Sequence, residues 1–209
     1  MTAKMRMFLT LFLLPFMIAG CEAISALDEA SRPLEVFELQ TPEIARSGVS
    51  RDIELVVEEP VATGALATER IMIRPSPLQA QYLPGVRWAD TAPVMLQTLL
   101  VRSLVETGAL GSVGRSPVGS VADFALLSEL TDFQAETTGD GNGAIIRVRV
   151  IFRLVRESDA RVVATRAFAV TQEASGTDAN SVIAAFDRAT SRLLSGTVSW
   201  LIASTPASV

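Results

Sequence analysis

Residues 144–156 read AIIRVRVIFRLVR. Ile146, Val148, Val150, Phe152 and Leu154 alternate with residues that include Arg147, Arg149 and Arg153, the two-residue period of a strand with one face buried and the other in water. RVVATRAFAVTQE, Arg161 to Glu173, follows after only Glu157-Ser158-Asp159-Ala160, so the two stretches read as an antiparallel hairpin. Upstream, ADFALLSELTDFQAET reads as a longer strand. Its apolar phase passes from Phe124, Leu126 and Leu130 to Leu127 and Phe133, which predicts a bulge or bend near Ser128. The stretch TTGDGNGA, Thr137 to Ala144, joins that strand to the first. Its turn dipeptides Asp140-Gly141 and Asn142-Gly143 favour a hairpin connection over a phosphate cradle or a calcium loop. The arginine row invites an anion-site reading, but Glu129, Asp132 and Glu136 offer cross-strand partners, and pairing is the preferred explanation.

Working outward, PLEVFELQTP suggests a first strand ended by Pro42, and SRDIELVVEEP a half-buried second one carrying Ile53, Leu55 and Val57 on one side. ERIMIRP reads as a short third strand, with Ile71 and Ile73 on one side and Met72 on the other, stopped by Pro75 and Pro77. A helix follows, capped by Asp90 or Thr91, with Pro93 in its first turn, a face of Met95, Leu96, Leu99, Leu100, Leu104 and Val105, and an end at Gly108. LGSVG reads as a short strand. A second helix is predicted from Asn180 to about Ile202, where Val182, Phe186, Ala189, Leu193, Thr197 and Trp200 recur at helical spacing. The class is α+β: a mostly antiparallel or mixed sheet of about six strands, with two long helices packed most simply on one face.

At the other end of the chain, MTAKMRM carries Lys4 and Arg6, and Met7 to Gly20 then runs without a charge. A run of this length, interrupted by Pro15, is short for a bilayer core of about 30 Å, so a signal peptide is a better reading than a membrane span. Ile18-Ala19-Gly20-Cys21 resembles the lipobox of bacterial lipoproteins. That resemblance implies cleavage before Cys21, lipid on its thiol and acylation of the new amine. Several acyl chains, at about 0.8 kcal/mol per buried methylene, make such an anchor effectively permanent. Glu22, where inner-membrane retention usually shows Asp, favours the outer membrane by the same resemblance. The expected organisation is a signal peptide over 1–20, a lipidated tether over 21–32, and a single periplasmic α+β domain over 33–204. The stretch from Cys21 to Glu59 carries ten acids against three arginines, either a tether repelled by anionic lipid or a solvated tail.

The inventory also excludes chemistry. There is no histidine, and Cys21 is the only cysteine, so no imidazole base or zinc-binding imidazole exists, and no disulfide can form within the chain. No GxSxG, Walker loop or EF-hand loop occurs. Beyond Glu59, thirteen acids balance thirteen arginines, and the chain has a formal net charge of −5, which argues against nucleic acid as a partner. No cofactor or metal is expected, and no enzymatic activity.

The order of these pieces is similar to that of the ABC-type transport auxiliary lipoproteins, the PqiC-like family. The matching strings are the lipobox, VFEL where the family has an early YYxL strand, ATERIMIRPSPLQAQYLPGVRWAD leading into a leucine-rich helix, ADFALLSELTDF, the RVRVIFRLV and RAFAV hairpin, and the last helix ending near Trp200. Phe37 stands where the family usually has a tyrosine pair. The resemblance implies an outer-membrane lipoprotein facing the periplasm that catalyses nothing. It would dock or stabilise an MCE-domain protein working with an ABC permease and ATPase in lipid transport. Tyr82 and Trp88, beside the Pro84-Gly85 turn, are candidate partner anchors, with packing of the helix start against the sheet as the alternative for Trp88. An assembly lipoprotein serving a β-barrel or a secretin, a lipid carrier with its own cavity, and a homo-oligomer stay open.

Overall fold

The structure is a computed structural model that describes residues 33–139 and 143–206. The chain divides into two compact units, Met1–Glu35 and Val36–Val209, and the elements from Val36 onward belong to the second. Cys21, the Ile18-Ala19-Gly20 motif, the signal peptide and the tether lie outside the described residues.

Among the described residues, ten strands and two long helices follow one another. The strands before the first helix are β1 (Glu35–Phe37), β2 (Arg51–Val57), β3 (Val61–Ala62), β4 (Met72–Ser76), β5 (Gln79–Tyr82) and β6 (Val86–Trp88). Helix α1 (Ala92–Thr107) precedes β7 (Leu110–Gly114), β8 (Phe124–Thr137), β9 (Ala144–Arg156) and β10 (Arg161–Glu173), and α2 (Ala179–Ser204) ends the order. Eight strands form one mixed sheet whose main path is β10-β9-β8-β2-β7, while β1 and β6 make a separate pair. The expectation of about six strands is therefore corrected upward. The strands not read from the sequence, β3, β5 and β6, are two to four residues long, too short to display a period of two.

β8 is the organising strand. It pairs antiparallel with β9 along nearly its whole length, and β2, β3 and β4 join its other side in parallel, one after another. The alternation in β9 is realised residue by residue: Ile146, Val148, Val150, Phe152 and Leu154 are all buried. The predicted β9–β10 hairpin forms, with Phe168 opposite Val150 and Ala160 adopting φ 54° in its turn. The bulge in β8 falls at Thr131 rather than near Ser128, because the register shifts between Leu130 and Asp132. One extra residue there keeps Phe124, Leu126 and Leu130 before it, and Phe133 and Ala135 after it, inside.

Helix α1 opens at Thr91 with proline in its first turn and closes at Gly108, whose φ of 62° is the left-handed conformation a C-terminal glycine supplies without strain. Helix α2 starts one residue earlier than predicted, at Ala179, because Asp178 is its cap: the carboxylate accepts the Ser181 N–H at 3.0 Å. Leu96 of α1 and Leu194 of α2 meet Val57, Val150 and Phe152 around one small internal cavity. Buried Gln97 of α1 donates to the Val57 carbonyl at 2.8 Å, which fixes the helix to β2. Near β4 the side assignment differs from expectation, since Ile71 and Met72 are both buried and the strand continues through Pro75.

Candidate docking surface

The segment from Thr68 to Asp90 carries both predicted anchors. β4 and β5 form a hairpin with Met72 opposite Tyr82 and Ser76 opposite Gln79, and β4 is also held by β8. The tip of the hairpin, Pro77-Leu78, leaves the Leu78 side chain fully exposed. Next to it lies a cleft of about 540 Å³, between Arg74, Pro75, Ser76 and Pro77 on one side and Glu136 and Thr137 on the other.

Tyr82 ends the hairpin half-buried. Its hydroxyl donates to the Ala65 carbonyl at 3.4 Å, and the Arg70 guanidinium lies over its ring, 4.5 Å from the centroid. This is a flat aromatic platform with a cation stacked on it, its inner edge packed on the core. No period or motif in the sequence marks Arg70 as the partner of the Tyr82 ring.

Trp88 goes the other way. It is 1 % exposed, its ring set edge-on to Phe186 at 5.4 Å and tilted against Phe133 at 5.9 Å. An exposed anchor at this position is corrected, and the packing alternative describes it. The reason is the three-residue alternation of β6, where Val86 and Trp88 point in and Arg87 points out. Arg87 pairs with Glu69 at 2.8 Å, and the Trp88 N–H donates to the Glu69 carbonyl at 2.7 Å, so the RWAD segment is tied to the chain just before β4.

The arginine row on the outer face of β9 is largely matched from β8. Arg147 grips Glu136 with two hydrogen bonds of 3.0 Å, and Arg153 stands 4.0 Å from Glu129. The Glu136 carboxyl is held below its ordinary value, chiefly by the Arg147 hydrogen bond, and the Arg147 guanidinium is held above its own by the same bond. Arg149 lies opposite Asp132 in register but forms no ion pair among the described residues. Among those residues no group of three or more His, Cys, Asp or Glu could hold a metal ion, and no helix is long and apolar enough to cross a membrane.

Comparison with known proteins agrees with this architecture. A family model described as ABC-type transport auxiliary lipoprotein component matches residues 37–196. The crystal structure of XCC0632 from Xanthomonas campestris, of family DUF330, is similar with a TM-score of 0.73 and 26% identity, over 81% of this chain and 95% of that one. A second crystal structure, of an uncharacterized protein, shares the fold with a TM-score of 0.64 at 15% identity, over 81% of this chain and 99% of that one. The uncharacterized protein bll6063 of Bradyrhizobium diazoefficiens is 24% identical over 189 residues. That match takes in 88% of this chain but 49% of the relative, so the chain spans about half the length of the curated relative it matches. With the family's model running from the end of β1 through most of α2, the chain belongs to the ABC-type transport auxiliary lipoprotein components.

Proposed function

We propose that this chain is an outer-membrane lipoprotein, anchored through Cys21 and facing the periplasm, that serves an ABC-type lipid transport system as a non-catalytic auxiliary component. It docks or stabilises the MCE-domain protein that works with an ABC permease and ATPase. The observation that carries the reading is the family match over residues 37–196, joined to a lipobox-like Ile18-Ala19-Gly20-Cys21. In this reading residues 1–20 are removed, 21–32 form the tether, and the domain runs from 33 to 204.

Tyr82 is the partner anchor in this scheme. Arg70 stacks on its ring and the exposed Leu78 stands at the tip of the same hairpin, a combination of aromatic, cation and aliphatic groups suited to an interface core. Trp88 supports the surface from beneath. The test is affinity purification of the acylated chain from membranes. Recovery of an MCE protein with its permease and ATPase is expected, and recovery of a β-barrel or secretin without them overturns the reading in favour of an assembly lipoprotein. For the anchor itself, Tyr82→Ala is expected to keep the fold, with a melting temperature within a few degrees of wild type, and to lose the MCE partner. Unchanged recovery by a folded Tyr82→Ala protein shows that the contact lies elsewhere.

A further inference from the structure

β10 is the last strand on its side of the main sheet, and among the described residues nothing pairs with its outer edge. Its hydrogen-bond phase is fixed at one end. The Ala174 N–H donates to the Ala144 carbonyl at 2.9 Å, so even-numbered residues of this stretch bond across to β9. Thr165, Ala167, Ala169 and Thr171 therefore turn both N–H and C=O away from it. Arg192 of α2 agrees with this phase, because its guanidinium donates to the outward Thr171 carbonyl at 2.9 Å and so closes the far end of the edge. A register irregularity between Val162 and Ala164 closes the near end. The open part, Ala164 to Val170, is regular strand with its outward groups free to pair.

Cations surround this open part on both faces. On the outer face Arg153 lies opposite Thr165 and Arg149 opposite Ala169. Arg153 has only its 4.0 Å contact with Glu129, and Arg149 has no ion pair among the described residues. A strand added beyond β10 would lie about 10 Å from β9, within reach of an arginine extended over the short side chains of Thr165, Ala167 and Ala169. On the opposite face Arg166 projects from β10 itself. Its guanidinium rests on the Phe168 ring at 4.8 Å and is matched by no carboxylate among the described residues. The acids that answer the row, Glu129, Asp132 and Glu136, stand on β8, the far side of β9.

We propose that the open edge of β10 accepts an extended acidic segment of a partner protein as an added strand. The backbone supplies the affinity, and Arg149, Arg153 and Arg166 supply the preference for carboxylates. This site is separate from the Tyr82 surface and does not rest on the transport reading. Its charge preference runs against the molecule as a whole: a chain of net charge −5 attracts a basic peptide at long range, so preference for an acidic one must arise locally.

The experiment uses the full chain in neutral-detergent micelles and a dye-labelled decapeptide of alternating glutamate and threonine, with a lysine/threonine peptide as counterpart. The expected result is saturable binding of the acidic peptide, at least tenfold tighter than the basic one, with slowed hydrogen exchange at the Thr165, Ala167 and Ala169 amides. The double variant Arg149→Glu, Arg166→Glu should bind at least tenfold more weakly. So should Ala167→Pro, which removes an outward donor and no bond to β9. If the proline variant does not fold, the charge reversal decides, since both arginines are exposed. Three results would overturn the proposal: no binding of the acidic peptide, equal binding of the two peptides or by the double variant, or exchange protection already present without peptide because a second copy occupies the edge.

Discussion

Trp88 stands against Phe133 of β8 and Phe186 of α2 where β6 meets the core, and its truncation would leave a cavity between them. Trp88→Ala is expected to destabilise the fold by about 3–5 kcal/mol, read as a lowered urea midpoint at unchanged slope. Its neighbour Arg87 is half-exposed with Glu69, a pair of the kind worth about 0–1 kcal/mol, so Arg87→Ala should barely move the midpoint. Glu136 gives the residue scale a pH dependence. Its carboxyl titrates below the ordinary 4.5 in the folded chain because Arg147 binds the ionised form. A depressed folded pKa means that the contribution is complete above the unfolded pKa and is lost as pH falls through the folded one. On lowering the pH from about 6 to about 3, the wild-type urea midpoint should therefore fall more steeply than that of Glu136→Gln. Parallel slopes for the two proteins would mean that the Arg147 contact does not differ between folded and unfolded states.

The elements were legible in proportion to their length. β9 shows its period over thirteen residues and was placed correctly on both faces, as was the hairpin to β10. β3 and β6, two and three residues long, have no period to show, and the three parallel additions to β8 depend on crossovers that no local pattern encodes. The bulge was placed early because Leu127 is apolar but faces outward opposite Arg153, so its hydrophobicity mimicked a phase change that happens only at Thr131. That residue is the extra one that lets Leu130 and Phe133 both face the core. Deleting Thr131 leaves Leu130 and Asp132 adjacent in plain alternation, with Asp132 still opposite Arg149 and Phe133 still opposite Val148. The expected outcome is a cooperative urea transition that survives the deletion. Loss of that transition would show that the bulge itself, and not only the alternation on either side of it, is needed to hold the second half of β8.

For the whole molecule, the sequence placed the two anchors unequally. Cys21 follows from a local string, whereas Tyr82 and Trp88 sit six residues apart and their opposite fates depend on a three-residue strand and on what packs behind it. The described core, from Leu39 to Leu201, closes on itself through both helices and the sheet. Attachment and folding are then separable, and a single substitution distinguishes them. Cys21→Ser removes the thiol that lipid would modify while leaving every core residue in place. Each chain lost takes with it about 0.8 kcal/mol of membrane affinity per buried methylene, enough to abolish binding when no second signal remains. The expected result is a shift of the protein from the membrane pellet to the soluble fraction, with a mass lacking the acyl groups and an unfolding midpoint equal to that of the detergent-extracted wild type. Retention of Cys21→Ser in the pellet with an unchanged midpoint would move the membrane attachment from the thiol to another part of the chain.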